Sequence, residues 1–176
     1  MSALSILYIV LPILAVSLCH TLEVLFTARR WASHHSASSD EAHQSLVNIL
    51  FRLSGMNMSA LVIAAVVGFL AVLLSTAALF AGGLWAELVW TTVFMAYSVC
   101  ALINLVRAVT IKGYVPGLVT SIISVPLIAY AAYSLFLVWP WWEMLLFAIL
   151  GLVLALANLY FAQRLGQRQT SKSTKN

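Results

Sequence analysis

Charge is what this sequence has least of. Five acidic and nine basic side chains serve 176 residues, 8% of the chain against 63% hydrophobic, where soluble domains carry roughly a quarter charged residues. That supply cannot cover a water-facing surface, so a soluble globular domain is excluded. Cysteine is also scarce: Cys19 and Cys100 lie in separate apolar runs without CxxC spacing, which excludes a disulfide framework and a cysteine-based zinc site. Both are expected to be buried as small apolar groups. Missing from these runs too are GxSxG, HExxH and paired acidic motifs, and a single histidine inside them leaves no bis-histidine haem. No cofactor and no metal is expected. No run of lysine and arginine resembles a nucleic-acid patch, and no basic segment or small-residue cleavage signal marks the first run for removal.

What the chain does have is long apolar runs. Mean hydropathy is +1.02, and the runs exceed the ~20 residues that cross a bilayer core. Read against their breaks, they give an all-α integral membrane protein of five spans, at about residues 3–28, 57–80, 84–108, 115–138 and 141–163. The breaks are the polar stretch ASHHSASSDEAHQ, the AGG at Ala81 to Gly83, the basic turn RAVTIKG, and WPWW around Pro140. One transmembrane domain over 1–163 is expected, followed by a basic, disordered tail over 164–176.

The nine basic residues are placed as if sorted. Arg29, Arg30 and Arg52 fall between the first two spans, Arg107 and Lys112 between the third and fourth, and Arg164, Arg168, Lys172 and Lys175 after the fifth. All lie on one side of a five-span chain, so the positive-inside rule predicts an outer N-terminus and a cytoplasmic C-terminus, in a bacterial inner membrane. Trp85, Trp90, Trp139, Trp141 and Trp142 mark the opposite boundary as an aromatic belt.

Between the first two spans, Ser38 and Glu41 stand in capping-box spacing before Leu46, Ile49, Leu50 and Leu53. The pattern predicts a cytoplasmic amphipathic helix over about 39–54, able to lie in headgroups or dock a partner. His34, His35 and His43 sit in or beside it without the fixed geometry of a metal site. Close helix approach in lipid depends on small residues, and Ala60, Ala64 and Gly68 recur at intervals of four, as do Gly151 and Ala155, and Gly113 and Gly117. Pro12, Pro116 and Pro126 fall in or at the start of spans, and the fourth span is expected to bend.

His20 and Glu23 pose the central question. Three residues apart, they share a helix face, and at 1.5 Å per residue His20 lies roughly 13 Å from Arg29 along the axis, inside the inner leaflet. Other spans are polar at this depth: Asn57, Asn104, Thr120, Ser121 and Asn158. Polar groups in lipid need partners or water, so these residues are expected to converge on a hydrated pocket with His20 and Glu23 as its titratable pair. Three functions fit. The leading expectation is a non-catalytic accessory subunit that meets other membrane proteins or itself within the lipid bilayer. The next is a small proton-coupled carrier using His20 and Glu23. An intramembrane enzyme acting on lipid or quinone comes last, for want of a nucleophile or phosphate-binding group beside the histidine.

Overall fold

The structure is a computed structural model that describes residues 6–35, 58–111 and 113–173. Among these the chain is all-helical. A π-helical turn, Ile6–Val10, leads into α1 (Leu11–His35), followed by α2 (Met58–Ala81), α3 (Leu84–Ile111), α4 (Leu118–Phe136) and α5 (Trp141–Ser173). All five are long and apolar enough to cross a membrane, over Tyr8–Ala28, Ser59–Ala81, Leu84–Thr110, Leu118–Phe136 and Trp141–Gly166. These are the five expected spans, with their ends moved by a few residues. The amphipathic segment over 39–54, with His43, and Asn57 lie outside the described residues.

Two boundaries differ from the sequence reading for local reasons. The fourth helix begins at Leu118 rather than at 115, because Val115–Leu118 forms a type II turn. Gly117 stands at φ 87° and ψ 4°, the Leu118 amide donates to the Val115 carbonyl at 2.9 Å, and Pro116 pre-sets the turn's first corner. The fifth helix runs on to Ser173, beyond the 163 boundary at which a disordered tail was expected. Glutamine, arginine, leucine and lysine in that stretch are good helix formers, and no proline stops it.

The helices pack in two storeys. Away from the α3–α4 turn lies the hydrophobic core, where Val10 of the π-helical turn and Ile13 of α1 meet Val72 of α2, Phe94 of α3, Leu135 of α4 and Met144 of α5. Trp90 belongs to this core and not to the expected belt: it is 1% exposed and stacks on Phe94 at 5.4 Å. Trp85 and Trp141 do face outward, at 80% and 73% exposed. Cys19, expected to be buried, is exposed on α1, while Cys100 is half-buried. An exposed thiol in an apolar surround is what a lipid-facing helix surface tolerates.

The small residues of α2 and α5 make internal contacts. A Cβ on Gly151 would lie 2.7 Å from the Ala96 amide nitrogen, so α5 touches the α3 backbone there. Ala60, 3% exposed, faces Gly166, where an added Cβ would come within 3.0 Å of the Ala60 nitrogen. Ala155 is 2% exposed. Ala64 and Gly68 both face Asn158.

Candidate functional site: a His–Thr–Glu chain at the start of α4

At the other storey the packing turns polar, and the type II turn organises it. A helix leaves its first amides without partners, and Gly117, the residue before α4, has no side chain to satisfy them. Glu23 of α1 does so instead. Its carboxylate accepts from the Val119 amide at 3.1 Å, the Thr120 amide at 2.8 Å, the Thr120 hydroxyl at 2.6 Å and the Tyr114 hydroxyl at 2.6 Å. An anion so placed also meets the positive end of the α4 dipole. Tyr114, in the turn outside the spans, has its phenol pushed up from an ordinary value of 10.0, by burial first and then by the Glu23 carboxylate it donates to.

His20, one turn earlier on the same face, turns its Cε1 edge against Gly117. A Cβ at Gly117 would collide with His20 Cε1 and sit 3.0 Å from Nδ1, so this glycine serves both the left-handed turn and the close approach. His20 Nδ1 and Thr120 Oγ1 are 2.9 Å apart. The hydroxyl has one proton to give, and an ionised carboxylate only accepts, so Thr120 donates to Glu23 and accepts from Nδ1–H. That assigns the His20 tautomer and leaves Nε2 to take up or share a proton.

Two further bonds tie α4 to α3 at this level. The Asn104 amide donates to Ser121 Oγ at 3.4 Å. The Tyr97 hydroxyl lies 2.8 Å from Ser124 Oγ, and because Ser124 gives its own proton to the Thr120 carbonyl, Tyr97 is the donor. The His20 and Tyr97 rings meet edge to face at 6.4 Å.

Beside this ladder runs a cavity of about 170 Å³, walled in part by His20, Tyr97, Asn104, Arg107, Asn158 and Gln163. Asn158 fixes the far wall by donating to the Ala64 carbonyl at 3.0 Å. Of the residues singled out in the sequence, His20, Asn104 and Asn158 line the cavity. Thr120 and Glu23 stand in a chain behind His20, and Ser121 holds Asn104. Sequence reasoning missed Tyr97, Arg107, Tyr114 and Gln163. Arg107 was counted only as a loop charge, yet α3 runs on to Ile111 and leaves the residue 8% exposed. Gly117 carried a readable signal, since Pro-Gly specifies this turn, but was read as helix packing.

Among the described residues no three His, Cys, Asp or Glu side chains gather as metal ligands would. The arrangement can bind, orient and exchange a proton at His20. No curated protein and no solved structure matches the chain. A family model described as proteins of unknown function with an HXXEE motif matches residues 11–131. His20-Thr21-Leu22-Glu23-Val24 carries the sequence's only H-x-x-E, with a buried valine in the fifth place. The chain belongs to this HXXEE family, keeping the histidine and first glutamate of its motif and replacing the second.

Proposed function

We propose that the protein is a multi-pass protein of the cell membrane, with its C-terminus in the cytoplasm, that binds a small amphiphile in the cavity beside His20 and exchanges a proton with it. The observation that carries this reading is the hydrogen-bonded chain from His20 through Thr120 to Glu23. It links the cavity wall to Tyr114, which is 40% exposed at the edge of the bundle. A buried imidazole N–H needs an acceptor in any role, and a chain that continues to a carboxylate also orients the ring and favours its taking up a proton at Nε2. The mostly apolar walls suit a ligand drawn from the bilayer.

Accessory-subunit function has no observation on its side, because exposed apolar helix faces are accounted for by lipid alone. For catalysis of bond-making, the hydroxyl held against His20 is that of Thr120, and its proton is given to Glu23 and not to the imidazole. The test is binding as a function of pH, with the full chain in nanodiscs and the co-purifying amphiphile followed by native mass spectrometry. Between about pH 5 and 8, where histidine changes charge, occupancy should vary in the wild type and become flat in His20→Gln. Thr120→Val should weaken the dependence and Thr120→Ser should keep it. A flat wild-type profile, or a slope that survives His20→Gln, overturns the reading.

A further inference from the structure

The end of the bundle away from the α3–α4 turn holds a second groove, of about 320 Å³, toward the small end of the ~300–1,000 Å³ usual for small-molecule sites. The start of α3 contributes Leu84 and Leu88 to its wall, the turn before α5 contributes Trp139, and α5 contributes Trp142, Glu143 and Phe147. Helix α5 is set here by the Glu143 amide, which donates to the Pro140 carbonyl at 3.0 Å, and Phe147 follows Glu143 one turn on, on the same face. Phe147 meets the Trp139 ring edge to face at 5.5 Å, so that indole is held in place, while Trp142 is 50% exposed. A headgroup belt accounts for Trp85 and Trp141, which face outward; it gives no reason for two other tryptophans to share a concave wall with a carboxylate. No lysine or arginine precedes Arg29, lies between Arg52 and Arg107, or lies between Lys112 and Arg164. The segments that meet at this end therefore bring no cationic side chain to Glu143. An indole attracts a cation through the negative face of its ring, and a carboxylate on the same wall adds an opposite charge. A hard metal ion needs several oxygen ligands, whereas the rest of this wall is apolar.

We propose that this groove binds a quaternary ammonium group, with its methyls against the Trp139 and Trp142 rings and its charge beside the Glu143 carboxylate. A lipid headgroup and a free small cation present the same chemistry to it. The groove is separate from the cavity beside His20, so the proposal stands or falls independently of the binding role given to that cavity.

The experiment titrates the full chain in uncharged dodecyl maltoside micelles with choline and with its neutral isostere dimethylbutanol, read by calorimetry at neutral pH. Choline should bind about fivefold or more tighter than the isostere, as a cation held by an aromatic face and a carboxylate does. Glu143→Gln and Trp142→Leu should each lower choline affinity about threefold or more. Trp142 is half-exposed, so its variant keeps the test informative if Glu143→Gln does not fold. Trp85→Leu, on the outward-facing surface, should leave the affinity unchanged. Added phosphatidylcholine that displaces choline severalfold better than phosphatidylglycerol identifies a lipid headgroup as the source of the ammonium, and failure to displace it identifies a free cation. Equal binding of dimethylbutanol overturns the cationic ligand, and choline affinity that survives both Glu143→Gln and Trp142→Leu overturns the groove as its place. Removing residues 2–5 should change nothing; binding that appears only on their removal also overturns the proposal.

Discussion

Gly117 and Glu23 show how few atoms hold the polar storey together. Replacing Gly117 with alanine forces a side chain into φ 87° and against the His20 ring, two penalties of about 1–3 kcal/mol each. Gly117→Ala should therefore lower the thermal midpoint in detergent sharply, and His20→Ala in the same chain should restore part of the loss by clearing the collision. Glu23→Gln keeps the side chain's shape but swaps a carboxylate oxygen for a donor that faces donors, so it should cost about 2–3 kcal/mol. Glu23→Asp, too short to span to α4, should cost a similar amount. Tyr114 adds a pH dependence of definite sign. Its phenol is raised in the fold, by burial and by Glu23, so the stability it contributes is complete below its ordinary value and is lost as pH climbs through the raised one. Thermal midpoints followed alongside tyrosinate absorbance should fall in that alkaline window in the wild type and not in Tyr114→Phe.

At the scale of elements, the glycines of α2 and α5 separate tight from loose contacts. Gly151 approaches the α3 backbone so closely that an added Cβ would lie 2.7 Å from the Ala96 nitrogen, while at Gly68 the nearest atom, Asn158 Nδ2, is 3.8 Å away. Gly151→Ala should push α5 from α3 and cost about 1–3 kcal/mol; Gly68→Ala should stay within about 0.5 kcal/mol of the wild type. Chemical denaturation in mixed micelles distinguishes them, and equal effects would contradict the packing. The same contrast explains what the sequence could disclose. Span number and the small-residue stripes were legible, because apolar length and a four-residue period are local properties. Whether a stripe faces a neighbour in the same chain is a matter of tertiary partners, and no period encodes it. The site divides the same way. His20 and Glu23 on one face of α1 follow from spacing, but that both reach the start of α4 depends on the Pro116–Gly117 turn delivering Thr120 to them. Arg107 was misjudged because its charge was assigned to the turn although it falls inside the third span, and Gln163 because it lies on the fifth span's last residue.

For the whole molecule the decisive question is which way the bundle stands. Consecutive antiparallel helices bring the end of α1, the α3–α4 turn and the end of α5 to one side, and with them Arg107 and Arg164. Glu87 and Glu143, in the first turns of α3 and α5, lie at the opposite end. Positive charge is retained on the cytoplasmic side during insertion, so the polar storey and Tyr114 should face the cytoplasm, where the proton exchanged at His20 would be taken up or released. A fluorescent protein fused after Asn176 should fluoresce. Alkaline phosphatase inserted between Gly82 and Gly83, where added atoms meet nothing within 4 Å, should be active. Moving the charge should move the result: lysines added at Gly82–Gly83 together with Arg29→Gln and Arg30→Gln should divide the population between two orientations. An active phosphatase after Asn176 in the unaltered chain would turn the polar storey to the outer surface, and the proton would then be drawn from outside the cell.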